Sequence, residues 1–267
     1  MFSFCVSLKI INQRLKFSAS VIRYNIAMKR LLRYLIVLTA AVILLAGSVL
    51  AFSGYRCYRA AVAERSIPEA VEAYADLPGS VTYDEIDTDF VHAVVAVEDK
   101  RYFTREGIDW IAMCRAIINN LLAGRPVEGG STIPQQIAKN LYFIGQGKTR
   151  GLPEKTAEIY IMHDLEDLYS KEELLALYAS MNYYGDGYWG LAEASMGYYG
   201  VPANDLTIAQ AAMLAGITNA PSAYQLSTGY ELAESRWRRV LRDMLENHYI
   251  SQKEYDLAHL EDMHPVH

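Results

Sequence analysis

Residues 35–52 contain no charged side chain, and adding Tyr34 makes nineteen uncharged residues. Inside a bilayer every backbone N–H and C=O must be satisfied within the segment itself. A run of this length therefore crosses hydrocarbon as a helix. Lys29, Arg30 and Arg33 stand just before it, and residues 1–33 hold seven Lys or Arg and no Asp or Glu. Basic residues stay on the cytoplasmic side, so the N-terminus is expected inside and everything after residue 53 outside. A cleaved signal peptide is the competing reading. Its apolar core would be unusually long, and the small residues Ala46-Gly47-Ser48 and Ala51-Phe52-Ser53-Gly54 make no sharp A-x-A cleavage site. The expected division is a basic cytoplasmic segment over 1–33, an anchor over 34–53, a juxtamembrane linker over 54–80 and an external domain over 81–267. Met28-Lys29-Arg30 also reads as a natural start, which would make 1–27 an extension.

The formal charge is −6 overall, and removing the basic N-terminus leaves −13 for residues 34–267. That balance argues against a nucleic-acid partner for the external part. Residues 98–158 run the other way, with nine Lys or Arg against seven Asp or Glu. A locally basic segment in an acidic domain suits an anionic ligand. Cys5, Cys57 and Cys114 have no metal-ligand spacing, and the six His residues are scattered. A Cys57–Cys114 disulfide is disfavoured.

Helical periodicity dominates from residue 81. The apolar spacing and caps predict helices over 88–100, 108–124, 132–141, 153–168, 171–181, 188–198, 207–215, 230–247 and 251–260. Ser170, Asp205 and Ser251 are the expected caps, the last with Glu254 three residues on. Glycines 145, 147 and 151 with Pro153 predict a loop over 141–153. Alternating strand patterns are scarce.

The block from Gly129 to Asn140 packs two glycines, two hydroxyls, two amides, a cation and an Asn into twelve residues. Paired glycines allow close approach of backbone. Ser131 and Thr132 precede an apolar-periodic run, so this is a helix start, and helix starts attract anions. The block fits a capped structural helix and an anion or sugar site equally. Glu98-Asp99 closes the apolar run Val91–Val97. It reads as a solvated helix end or as a carboxylate tuned by apolar walls. Glu158 follows Lys155 by one turn, as a surface ion pair or as a second working carboxylate.

Five ordered blocks carry a resemblance. Residues 98–109 resemble E-D-x-x-F-x-x-H-x-G. Residues 129–140 resemble G-G-S-T-I-T-Q-Q-x-x-K-N. Residues 154–158 resemble R-K-x-x-E. Glu173 to Gly190 resembles E-I-L-E-x-Y-L-N with its aromatic-glycine tail. Leu206 to Tyr224 resembles a late helix and an A-P-S-x-Y turn. Together they are similar to the peptidoglycan glycosyltransferases, the monofunctional transglycosylases and the transglycosylase domain of class A penicillin-binding proteins. The resemblance spans about residues 85 to 260. It implies a mainly α, lysozyme-like domain with a small jaw lobe, preceded by one transmembrane helix.

The resemblance also implies a reaction. Lipid II and the growing glycan strand are the substrates, and undecaprenyl pyrophosphate is released with inversion. Glu98 is expected as general base and Glu158 as the second essential carboxylate. Lys139 and Lys155 would stabilise pyrophosphate charge. Asp99, Gly130, Ser131, Thr132, Gln135, Gln136, Asn140 and Arg150 complete the expected substrate site. No cofactor is demanded, and a divalent cation, Mg or Mn, at the pyrophosphate is left open. The sequence holds no S-x-x-K or K-T-G element, so cross-linking is expected from a separate transpeptidase.

This chain departs from the pattern at Tyr102, Arg105, Pro134, Glu154, Ala176 and Ser180. Glu154 reverses a charge, for which Arg150 or Lys148 could substitute. These departures motivate an inactive, membrane-anchored partner of wall synthesis as the alternative. A lytic enzyme is the third reading. The tyrosines at 183, 184, 188, 198 and 199 read as packing. Arg236, Arg238, Arg239 and Arg242 read as a solvated stripe or salt-bridge surface.

Overall fold

The computed structural model describes residues 2–125, 129–144 and 151–266, with side chains from Met28 onward. It contains two compact units, Met1–Ser53 and Gly54–His267. Helix α1, Phe2–Glu64, begins in the first and ends in the second. Within it, Met28–Glu64 is long and apolar enough to cross a membrane, and its most apolar 18-residue stretch has mean hydropathy 2.7.

The second unit is mainly α. After the end of α1 come α2 (Ile67–Glu72), α3 (Thr88–Glu98), α4 (Trp110–Ala123), α5 (Ile133–Tyr142), α6 (Leu152–Leu168) and α7 (Lys171–Met181). Then follow α8 (Leu191–Tyr199), α9 (Ile208–Ile217), α10 (Pro221–Tyr224), α11 (Tyr230–Glu246) and α12 (Gln252–Ala258). The β-structure among the described residues is a single antiparallel bridge, Tyr183 with Trp189.

Helix α9 is apolar on every side, and Ala211 through Ala215 are fully buried. A helix of that kind belongs in the middle of a core. Helices α3 and α11 pack against it, α11 through Ala233, Trp237, Val240, Leu241 and Met244. The Trp237 indole N–H donates to the Ala209 carbonyl at 3.0 Å. Helices α5 and α6 form a second packed pair.

Helix ends differ from the sequence-based expectation by up to three residues, and three differences have a clear cause. Helix α3 stops at Glu98 because Asp99 leaves helical geometry at φ −154°. Helix α8 starts at Leu191, since Gly190 sits at φ 82° and residues 183–189 close the bridge. Thr207, not Asp205, caps α9, with its hydroxyl accepting from Gln210 N–H at 3.2 Å and its own N–H bound by the Gln210 amide at 3.1 Å. Ser170 and Ser251 cap their helices as expected.

The segment 54–80 is built into the second unit. Ile67 and Ala70 are buried, and the Tyr142 hydroxyl donates to the Arg65 carbonyl at 3.0 Å. Tyr58 stacks on Tyr160 of α6 and donates to Asp164 at 2.6 Å.

Gly54 is what lets α1 approach α6, since a Cβ there would lie 2.5 Å from the Thr156 side chain. Gly54→Leu should therefore destabilise the unit by about 1–3 kcal/mol through overpacking. Gly47→Leu, with nothing within 4 Å of its would-be Cβ, is the control. Thermal unfolding of both variants in detergent checks this, and equal melting temperatures would refute it.

Candidate active site

A cavity of about 820 Å³ opens between the end of α3, the approach to α5 and the face of α11. Glu98, the last residue of α3, lines it. Both of its carboxylate oxygens are held. Oε2 accepts from the Gln136 amide at 2.8 Å, and Oε1 accepts from the Arg236 guanidinium at 3.1 Å. The side chains of Glu98 and Arg236 are only 11% and 12% exposed. A carboxylate clamped in this way keeps one orientation, while its remaining lone pairs can accept a proton.

The Gly129–Asn140 block makes the adjoining wall. Thr132 caps α5, and Gln135 closes the capping box by accepting from Thr132 N–H at 3.0 Å. Pro134 falls in the first turn, where its missing N–H is tolerated. Gln136 and Lys139, three apart, both reach the cavity. Gly130 also lines it, and a Cβ there would lie 3.1 Å from Met113 Cα, so any side chain at this position would press on α4.

Ser131 lines the cavity and joins it to α6. Lys155 donates to the Ser131 hydroxyl at 2.8 Å and to Glu158 Oε2 at 2.7 Å. Glu158 is fully buried, whereas Lys155 is 37% exposed. The pair is thus one helical turn long, with its cation towards the solvent side and its carboxylate inside.

The structure gives other expected residues different places. Asp99 lies at the cavity edge but is 4% exposed, and its carboxylate binds Arg105 and accepts from Ile133 N–H at 3.2 Å. Gln135 is buried in its capping box. Asn140 donates to the Asn182 side chain at 3.1 Å. Arg150, like Lys148, lies outside the described residues. Cys57 and Cys114 are not joined in a disulfide.

Arg236 is the residue whose place in the site sequence reasoning missed. The arginine stripe of α11 divides by face. Arg238 pairs with Glu234 at 2.6 Å and is 49% exposed, as a solvated stripe would be. Arg236 points inward to Glu98, and Arg239 lines the same cavity. A signal was available in the spacing. Arg236 lies three residues after buried Ala233 and four before buried Val240, so it borders the core face. Arg236→Ala should lower turnover roughly 10- to 100-fold by loosening the carboxylate, and Arg236→Lys should recover part of it. Steady-state rates at saturating substrate test this; unchanged turnover in the alanine variant would refute it.

The cavity wall carries six Lys or Arg and four carboxylates. Each carboxylate meets a cation: Glu98 with Arg236, Asp99 with Arg105, Asp109 with Arg101, and Asp243 with Lys100. Burial alone would raise Asp109, but the Arg101 guanidinium and the Ala112 N–H hold it below the usual carboxylate range. Carboxylates committed to arginine and lysine do not fit a resident divalent cation. Among the described residues no group of three or more His, Cys, Asp or Glu is placed to hold one. The surplus of positive charge fits an anionic ligand. The tyrosine run packs as expected, with Tyr184, Tyr198 and Tyr199 buried and Tyr183 and Tyr188 half-buried.

The family model described as Transglycosylase matches residues 69–245, which contain every element of this cavity. Penicillin-binding protein 1A of Neisseria flavescens is 40% identical over 172 residues, 64% of this chain and 21% of that protein. Penicillin-binding protein 1F of Bacillus subtilis is 38% identical over 193 residues, 72% of this chain and 27% of that protein. The chain thus spans about a quarter or less of these two relatives. A Cupriavidus necator protein named "Putative transglycosylase" is 36% identical over 203 residues, 75% of this chain and 86% of that protein. With the family match running from α2 to α11 and a relative of similar length alongside it, the chain belongs to the transglycosylase family, the peptidoglycan glycosyltransferases that its motif blocks resemble.

Proposed function

We propose that the protein polymerises lipid II into glycan strands outside the membrane, with Glu98 as general base. The carrying observation is the Glu98 carboxylate, held by Gln136 and Arg236 in the wall of a cation-rich cavity. In this reading the acceptor sugar's 4-hydroxyl gives its proton to Glu98 as its oxygen attacks C1 of the donor sugar. The bond from C1 to the pyrophosphate oxygen breaks, the configuration inverts, and undecaprenyl pyrophosphate departs. Pyrophosphate needs charge stabilisation more than a proton, which Lys139 at the wall and Lys155 beside Ser131 can give. The apolar stretch in α1 would keep the enzyme where the undecaprenyl tail lies, with the basic N-terminus cytoplasmic. Cross-linking would fall to a separate transpeptidase.

The unusual residues have structural places compatible with activity. Glu154 accepts from Gly151 N–H at 2.8 Å and closes the start of α6. The Ser180 hydroxyl accepts from Val81 N–H at 3.0 Å. Ala176 packs against the core.

The test is incubation of the purified full-length protein with labelled lipid II. Glycan strands and released undecaprenyl pyrophosphate are expected. No product, where a known family member works, would favour the inactive-partner reading. Cleavage of finished glycan instead would favour the lytic one.

A further inference from the structure

Arg105 stands where the motif this chain resembles has a histidine, and its guanidinium joins three elements of the site. Its Nε donates to Asp99 Oδ1 at 3.1 Å and its Nη2 to Asp99 Oδ2, a bidentate pair. Its Nη1 donates to Glu166 of α6 at 3.2 Å and to the Gly107 carbonyl. The side chains are nearly sealed, Arg105 at 8% exposure and Asp99 at 1%.

Each partner carries site residues. Asp99 follows Glu98 directly and accepts from Ile133 N–H, the first helical residue of α5, at 3.2 Å. Helix α5 carries Gln136 and Lys139. Glu166 shares α6 with Lys155 and Glu158, and accepts from Gly107 N–H at 2.9 Å. The backbone of Arg105 is tied as well, since Lys171 donates to its carbonyl at 2.6 Å.

We propose that Arg105 is a positioning residue for glycosyl transfer, a buried fork that fixes the turn bearing Glu98 to the two helices bearing Gln136, Lys139, Lys155 and Glu158. The inference rests on the polymerase reading of this site. The titratable and charged groups around Arg105 are Asp99 from the end of α3, Glu166 and His163 from α6, and Lys171 and Glu172 from α7. Arg101, Glu106, Asp109 and Tyr102, whose ring centre lies 5.9 Å from the guanidinium carbon, come from its own loop. Burial disfavours the Arg105 charge, but Asp99 and Glu166 more than compensate, so the guanidinium stays charged at every working pH. Histidine at this place would need protonation to do the same work.

The test uses the full-length protein with Arg105→Ala, Arg105→Lys and Arg105→His. Initial rates are read as the ratio of variant to wild type from about pH 5.5 to pH 8.5, which brackets histidine titration. Taking the ratio cancels titrations common to both proteins. Arg105→Ala should hold about one hundredth of the wild-type kcat at every pH, the order expected for a misplacement of about 1 Å, with KM little changed. Arg105→Lys should recover part of the loss without pH dependence, because one ammonium cannot make the fork. Arg105→His should approach wild type at the acid end and fall towards the alanine level as pH rises.

Thermal unfolding follows the same sign. A histidine charge stabilised by Asp99 and Glu166 contributes fully below its unfolded value of about 6.5. It is lost as pH rises through the higher folded value. A flat Arg105→His ratio, or an alanine variant within several-fold of wild type, would overturn the proposal. So would an alanine loss that disappears once rates are corrected for folded fraction. A wild type that makes no glycan would end the polymerase reading and any positioning role in transfer with it. In that case the unfolding series alone reports whether Arg105 braces the fold.

Discussion

Glu98→Gln should reduce glycan polymerisation by about 10²- to 10⁴-fold, the contribution typical of a positioned general base, while leaving lipid II binding within several-fold of wild type. The substitution keeps the side chain's shape. Its amide oxygen can still accept from Arg236, and the Gln136 amide can flip to present its oxygen to the new NH₂ group. The capacity to take the acceptor's proton is lost. Rate and binding are therefore expected to separate, as they do when a group acts in the transition state only.

Glu98→Asp is the informative companion. One methylene shorter, its carboxylate cannot reach both Gln136 and Arg236, which approach Glu98 from α5 and α11. It should keep base chemistry but lose orientation, and fall between wild type and Glu98→Gln. The measurements are initial rates on labelled lipid II and equilibrium binding of the same substrate. If Glu98→Gln kept more than about a tenth of the wild-type rate, Glu98 could not be the base.

What the sequence disclosed and what it hid divide along one physical line. Local determinants were legible. Ser170 and Ser251 cap their helices because each has its Glu three residues on, a pattern contained within one turn. Thr132 and Gln135 repeat it at the head of the central motif block. Thr207 with Gln210 repeats it again, and choosing Asp205 there overlooked that a glutamine completes the same box. Long-range determinants were not legible. Arg236 meets Glu98 across 138 positions, and nothing around either residue announces the other. The stop of α3 at Glu98 is of the same kind, since the residue that leaves the helix, Asp99, binds the start of α5, 34 positions later. The resemblance therefore located the carboxylates, while the partners that orient them became visible only in the fold.

Lys155 and Glu158 give the second large effect, and here stability and catalysis should part. Glu158 is fully buried, and Lys155 bonds its Oε2 at 2.7 Å while also bonding Ser131 at the cavity wall. Lys155→Ala would leave a buried carboxylate without its lysine. Breaking a buried pair in this manner costs 3–5 kcal/mol, and because Lys155 is 37% exposed, water reduces the expected cost to about 2–3 kcal/mol. Glu158→Gln removes the charge but keeps an oxygen for Lys155, so it should destabilise less. The double variant, with neither charge, should recover most of the stability lost in Lys155→Ala. Its rate should not recover. If Lys155 stabilises the departing pyrophosphate as proposed, its loss should lower turnover about 10²- to 10³-fold, and removing Glu158 as well restores nothing at that oxygen. Thermal unfolding and lipid II turnover across the four proteins of this cycle make the separation measurable. If the double variant regained both stability and rate, the pair would be a structural brace, and the charge on the leaving group would have to be met by Lys139 and the arginines of the cavity wall instead.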